Sequence, residues 1–367
     1  MDGHPAGFIQ NNRTGEGLNW KAKGYALSEG DKAKLQAESA TKLQGRQEEE
    51  KARHLAVAGA VRQLLAVAPP APESHQYLQS KQARSGELTV VPNDAGGLPA
   101  DSIVLIGKNW KESKELREQN KDKLVFTAGD LLVAASDING DVQSVQSIQT
   151  NGRKMFAAGG QKQGTFHVVG GDGLNALADA PAIVIGEGYA TADTLSQSLG
   201  YATVAAFDSG NLPLVAKQLQ EKYPDKLMVI AGDNDLHQEM TEGKNPGKQK
   251  ALSAAVAVNG VAIFPVFAPG EQSYPAGLEK VTPEMARNNA MSQEQSDAIA
   301  KMKQFTDFND LATQSALGRD GVERQVKLFV DNLVEQHQVQ AQQQQLIKHQ
   351  AINDEQHKQQ HRKAVKI

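Results

Sequence analysis

The spacing of apolar residues changes several times along this chain, and each change predicts a different kind of element. From about Glu29 to Val67 the sequence is rich in Ala, Lys, Gln and Glu, with no proline and only Gly45 interrupting, which predicts one long, largely solvated helix. The prolines of "APPAPES" end it, because consecutive prolines cannot continue the backbone hydrogen-bond ladder. Ahead of it, Asn-Asn, Thr-Gly and Gly-Leu pairs between short apolar pieces predict a hairpin. From Gln76 to Gly170 the β-forming runs "GELTVVP", "SIVLIG", "KLVFTAGDLLVAASD", "VQSVQSIQT", "RKMFAAGG" and "GTFHVVG" are separated by turns, two of them built on Asn139-Gly140 and Asn151-Gly152. They predict a small, mostly antiparallel unit.

From Ala180 the alternation gives way to continuous apolar runs: "APAIVIG", "YATVAAF", "KLMVIAGD" and "GVAIFPVF". Strands of this kind are buried on both faces, and the helix-like segments between them predict four parallel strands with crossover helices. Leu212, Val215 and Leu219 recur at helical spacing in one linker, and Pro246 and Gly260 suit the start and stop of a helix in another. A polar stretch and "KQFTDFNDLATQSALG" follow, and from Val322 a helical pattern runs into a Gln/His/Lys tail. The expectation is an α/β chain with a hairpin segment over 1–28, a charged helix over 29–70, a β-rich subdomain over 71–175, a parallel-sheet domain over 176–275, a helical subdomain over 276–335 and a partly disordered tail over 336–367.

Composition removes several chemistries. The 367 residues are 39% hydrophobic, enough for a sizeable core, and the net charge of −4 excludes a uniformly basic nucleic-acid coat without excluding local patches. Cysteine is absent, so thiolate zinc sites, disulfides and cysteine nucleophiles are excluded. No apolar stretch predicts a membrane span or a secretory leader, so a cytoplasmic protein is expected.

Ligands of open parallel sheets sit beyond the carboxyl ends of the strands, which draws attention to Glu187, Asp208, Asp233 and Asp235. Converging carboxylates repel one another unless a cation neutralises them, and with no cysteine or histidine cluster a hard ion such as Mg2+, with Mn2+ as a substitute, is the natural partner. The acids of "AGDNDL" alternate, so in extended backbone both face one side; ordinary turn chemistry is the plainer account of the same residues. A dinucleotide site competes, since "GEGYAT" follows a strand like a glycine-rich turn. Against it, Thr191 replaces the third glycine, a carboxylate inside the turn would repel pyrophosphate, and Asp233 with Asp235 goes unexplained.

"EGYATA" (Glu187 to Ala192) resembles the signature of primases of conjugative plasmids and some satellite phages, and the "DND" of 233–235 resembles the second acidic motif of Toprim domains, which DnaG-type primases, topoisomerases and some nucleases share. The resemblance continues through "AFDSGNL", "NPGKQKA", "DFNDLA" and the segment from Asp141 to Gly170, and weakly to "ESHQYLQSK", covering roughly Ser74 to Gly318. It implies a Toprim fold with a four-stranded parallel sheet, Glu187 as acid, base or ligand in nucleotidyl transfer, and Asp233 and Asp235 as Mg2+ ligands. Asp208, Asp310 and Asp307 are candidates for site support, with Asp307 more simply read as a helix cap. Asn245, Lys248 and Lys250, around a helix start, are candidates for phosphate, with a capped, solvated helix as the alternative. Arg153, Lys154 and Lys162, on a glycine-rich hairpin, are candidates for single-stranded template, with ordinary surface cations as the alternative.

The function implied is a DNA primase of a conjugative plasmid or related mobile element, making RNA primers from NTPs on single-stranded DNA, transferred with that DNA to a recipient cell, and partnered through its terminal helices by transfer or replication proteins. The rivals are a Toprim nuclease using the same acids and a non-catalytic single-stranded-DNA-binding mobilisation protein. Unlike cellular primases, the chain has no cysteine-based zinc module and no Walker motif. That departure and its start at a hairpin suggest a shortened member of a longer family, with template selection supplied by the terminal segments or another protein.

Overall fold

The computed structural model describes residues 6–10, 17–21, 29–340, 342–343 and 350. Two compact units divide between Arg53 and His54. In the first, strands β1 (Ala6–Gln10) and β2 (Gly17–Lys21) pair antiparallel, and the helix α1 (Glu29–Val67) begins; its bounds match those read from the sequence. The turn expected between the two strands and most of the tail after 340 lie outside the described residues.

The second unit opens with the last turns of α1. Val57, Val61 and Leu64 recur on one helical face and are buried with Val104, Phe126, Leu132 and Val145. Then come α2 (Gln76–Lys81), capped by the His75 ring, β3 (Thr89–Val90), β4 (Val104–Gly107), α3 (Trp110–Gln119), β5 (Leu124–Thr127), β6 (Leu131–Ser136), β7 (Val142–Ile148) and β8 (Lys154–Phe156). Strands β3-β6-β7-β8 form the expected antiparallel sheet. Its two tight turns place Gly140 at φ 90° and Gly152 at φ 85°, backbone that glycine adopts without steric cost.

Here the structure corrects the reading of the β-rich runs. Strands β4 and β5 form a separate parallel pair, with α3 as their crossover. The polar run "WKESKELREQ" supplies the helix that a parallel connection requires, and apolar runs of four residues carry no information on the direction of pairing. The segment "KLVFTAGDLLVAASD" is two strands in two sheets, broken at Gly129, whose φ is 80°.

Next follow β9 (His167–Val169), α4 (Gly173–Asp179), β10 (Ala182–Gly186), α5 (Tyr189–Leu199), β11 (Thr203–Ala205), α6 (Leu212–Lys222), β12 (Leu227–Ala231), α7 (Leu236–Glu242), α8 (Pro246–Ala257) and β13 (Val261–Ile263). The sheet order is β13-β12-β10-β11-β9. The four strands expected to be parallel are parallel, and a fifth, β9, from "GTFHVVG", pairs antiparallel with β11. The sequence had grouped that strand with the antiparallel unit.

On one face of this sheet Leu212, Val215 and Leu219 of α6 and Ala251 and Ala254 of α8 cover Ile183, Ile185, Met228 and Ile230. On the other, Leu195 and Leu199 of α5 join a layer of α11 (Phe308–Thr313), α12 (Gly318–Val322) and a π-helical turn at Glu323–Lys327 that leads into a helix over 328–340, while α9 (Pro283–Arg287) and α10 (Gln293–Met302), earlier in the chain, pack beside α7. Phe308, Leu311, Val322, Val326 and Val330 from this layer are buried against Val184 and Val229. A third cluster joins the two sheets: Tyr77, Leu78, Leu131 and Ile148 with Tyr189, Ala190, Ala205 and Phe207. Among the described residues no helix is long and apolar enough to cross a membrane.

Candidate active site

Parallel pairing brings the C-terminal ends of β10, β11 and β12 to one edge, and the residues just beyond them carry the acids. Glu187 follows β10, Phe207 and Asp208 follow β11, and Asp233 follows β12; together they line a cleft of about 630 Å³. Tyr77 and Lys81 of α2, the Asn151–Gly152 turn and Lys154 of β8 form its opposite wall, and Asp307 closes it from the start of α11. Phe207 is held at φ 74°, a left-handed conformation costly for a bulky residue, while its ring meets Phe156 edge-on at 4.9 Å.

The acids at this edge are not satisfied by the protein. Glu187 and Asp233 each keep some exposed surface, but Glu187 Oε1 and Asp233 Oδ1 are sealed from solvent with no hydrogen-bond partner. Burial, then repulsion from Asp235 and Asp307, pushes the Glu187 carboxyl up to about 7, although backbone N–H groups of Asp233 and Ser209 favour its charged form. Burial and the charge of Glu187 drive Asp233 well above the usual carboxylate range, with Asp307 and Asp235 adding to the effect and Lys154 opposing it. Asp307 is also raised, first by burial and then by Asp310, while Lys81 opposes.

Two lysines answer this charge. Lys81 Nζ lies 3.1 Å from Asp310 Oδ1, and Asp307 together with Asp310 raises its pKa against burial. Lys154 lines the same cleft; loss of solvent there lowers its pKa while Asp307, Asp233 and Glu187 hold it up. A Cβ on Gly188 would stand 3.1 Å from the Lys154 ammonium, so glycine leaves it room to lie beside Glu187.

The remaining residues singled out from the sequence divide sharply. Asp235 is held by Asn245, whose Oδ1 accepts from the Asp235 N–H at 3.0 Å, and the Gly247 N–H donates to Asp235 Oδ2 at 3.3 Å. Asp307 caps α11, accepting from the Asp310 N–H at 2.7 Å, and also faces the cleft. Asp310 is consumed by structure: Lys81, Gln314 and the Thr306 N–H and hydroxyl all donate to it. Asp208 lines the cleft, ion-paired with Lys162 and accepting from the Asn211 N–H.

Of the three phosphate candidates none lines the cleft. Asn245 is buried as the cap of α8, and Lys248 and Lys250 are exposed, with Lys248 lying 5.8 Å over the Phe264 ring. Arg153 stands 4.5 Å over the Trp110 ring, and Arg117 lies 4.9 Å from the same ring. Tyr77 and Lys81 fall within "ESHQYLQSK", where the resemblance is weak, and nothing in the motifs singles out Trp110 and Arg117. The available signal was a tryptophan among cations in "KNWKESKELR", of the kind that nucleic-acid-binding surfaces use.

Among the described residues no group of three or more acids or histidines is drawn together as a metal-binding site. The donor set nevertheless fits a hard divalent ion: the donors are all oxygen, two carboxylate oxygens are buried without partners, and burial together with mutual repulsion raises the acids.

No family model matches the chain. It is 42% identical over 362 residues to an Escherichia coli protein named DNA primase TraC, covering 91% of this chain and 31% of that protein. A second Escherichia coli protein of the same name is 43% identical over 356 residues, covering 89% of this chain and 22% of that one. The chain thus spans less than a third of the length of the curated relatives it matches. Among solved structures, the DnaG primase catalytic domain bound to single-stranded DNA aligns with a TM-score of 0.38 and 15% identity, covering 76% of this chain and 92% of that one. The DnaG catalytic core aligns with a TM-score of 0.34 and 16% identity, covering 69% and 79%.

Proposed function

We propose that the chain is a Toprim-type DNA primase that joins nucleotides into short RNA primers on single-stranded DNA, serving conjugative plasmid transfer or mobile-element replication. The observation that carries the reading is the cleft at the parallel strand ends, where Glu187 and Asp233 bring buried, unpartnered carboxylate oxygens beside Lys81 and Lys154. The similarity to proteins named DNA primase TraC over most of this chain supports it. The Toprim reading is further supported by the four parallel strands, with a glutamate after the first in sequence and the Asp233–Asp235 turn after the third.

The chemistry required is attack of a primer 3′-hydroxyl on the α-phosphorus of an NTP, with pyrophosphate leaving. Glu187, Asp233 and Asp235 would hold Mg2+, which when bound supplies charge stabilisation at the phosphoryl group. As the alternative to ligating the ion, Glu187, with its carboxyl near 7 in the metal-free protein, is suited to take a proton from a hydroxyl close to neutral pH. Lys81 and Lys154 present ammonium groups to the anionic triphosphate from the wall opposite the acids. Trp110, with Arg117 and Arg153 at its ring, offers a base-stacking and phosphate-binding surface for template, its Arg153 adjoining the Asn151–Gly152 turn that lines the cleft.

The test is primer synthesis on single-stranded DNA with labelled NTPs and Mg2+, comparing wild type with Glu187→Gln and Asp233→Asn. Oligonucleotide from wild type and none from the variants is expected; full activity in both variants would remove this cleft as the active site.

A further inference from the structure

The middle residue of the "DND" turn is gripped from two sides. The Gln272 Nε2 donates to the Asn234 carbonyl at 2.8 Å and to the Phe305 carbonyl at 2.6 Å, and the Asn234 N–H donates to the Thr306 carbonyl at 2.8 Å. From the other side the Asn245 Nδ2 donates to Asn234 Oδ1 at 3.0 Å, while Asn245 Oδ1 accepts from the Asp235 N–H at 3.0 Å and the Lys248 N–H at 3.2 Å. Gln272 belongs to the polar segment after β13 and Asn245 begins α8, so two elements distant in sequence close on one residue.

This grip answers a physical problem. Asp233 faces Glu187 and Asp307 with a buried, unpartnered oxygen, and like charges at such a turn would separate if the backbone were free to move. The backbone is not free: a Cβ on Gly247 would lie 2.9 Å from both the Asp233 carbonyl and Asp235 Oδ2, so α8 starts hard against the turn. Every bond of the clamp falls on Asn234 or on backbone groups, and none occupies the Asp233 carboxylate.

We infer that Gln272 and Asn245 are positioning residues that clamp Asn234 and so fix where the carboxylates of Asp233 and Asp235 stand to receive a divalent cation. This rests on the metal-dependent reading of the cleft. Neither residue lines the cleft; both act through the turn. Outer partners that orient ligating carboxylates contribute about 10- to 100-fold in metal affinity.

The experiment is Mn2+ titration followed by electron paramagnetic resonance on the full chain, with hydrogen exchange measured over residues 233–247. Gln272→Leu, near in volume and without donors, is expected to weaken Mn2+ binding about tenfold and to speed exchange at the turn. The matched control is Glu271→Leu, which cuts a neighbouring latch to Ser315 and the Ala316 N–H that does not touch the turn; it is expected to leave both readouts as in wild type. Circular dichroism establishes that each variant is folded, and Asn245→Ala carries the same test should Gln272→Leu not fold. Unchanged affinity and exchange in a folded clamp variant would overturn the proposal, as would equal losses in Glu271→Leu. If wild type binds no Mn2+, the metal reading of the cleft fails; exchange at the turn then decides the clamp by itself.

Discussion

Helix α5 separates two groups of buried acid that differ in every respect except charge. Asp193, within the helix, has 1% side-chain exposure, and each of its oxygens is used: Arg84 binds it through the backbone N–H at 2.9 Å, through Nε at 2.8 Å and through Nη2 at 2.7 Å, and Gln197 Nε2 donates at 2.7 Å. Glu187, just before the same helix, meets Asp233 with one oxygen of each left unpartnered. A protein that satisfies one acid this completely and leaves others bare within the same layer shows by contrast which carboxylates are committed to holding the fold together. Unsatisfied buried charge is costly, and its concentration at one strand edge marks a place kept for something else.

The sharpest way to break the contrast is to remove charge from the bare group. Glu187→Gln is expected to lower primer synthesis by at least about a hundredfold, read as labelled oligonucleotide, while leaving the melting temperature equal to or above that of wild type. Asp193→Ala should do the reverse. It strips a buried partner from Arg84 and is expected to cost about 3 kcal/mol of stability by denaturant unfolding, the loss moderated because the half-exposed Arg84 can turn to solvent. Asp307 belongs to both groups, capping α11 and facing the cleft. Asparagine caps as well as aspartate, so Asp307→Asn is expected to change stability by less than about 1 kcal/mol and still reduce activity about tenfold.

The contrast also carries a pH dependence. The carboxyl of Glu187 rises from 4.5 to about 7 on folding, so between those values the native state binds more protons than the unfolded chain. Stability of the metal-free protein is therefore expected to fall as pH rises from 4.5 to about 7, and Glu187→Gln should flatten that slope in urea titrations. A slope equal to that of wild type in the variant would show that Glu187 is not the group responsible.

The contrast was only partly legible in the sequence. Glu187 and Asp233 could be found because each follows a continuous apolar run, and parallel strands must deliver their carboxyl ends to a common edge. Long α1 was readable to its ends because nothing but composition decides a solvated helix. Asp307 was readable as a candidate for site support or a helix cap, but Lys81 was not readable as a cleft partner: Lys81 meets Asp310 across 229 positions, and only the folded core brings α2 and α11 to the same place. The parallel β4–β5 pair and the antiparallel β9 were missed for a different reason. Short apolar runs say that a strand exists but not which neighbour it joins or in which direction. Asn245, Lys248 and Lys250 had the composition of a phosphate site, yet the Asn245 side chain is spent on the backbone of its own helix and of the acid turn.

The antiparallel β9 also bears on how the chain behaves among other chains. With β9 at one side and β13 at the other, the five-stranded sheet ends in strands of only three residues each. A strand of that length offers few free N–H and C=O groups for another molecule to continue, and long unpaired edges are what seed intermolecular β-structure. The most apolar strands, β10 and β12, lie inside, so a sheet built from some of the stickiest runs in the sequence presents little of them to a neighbour.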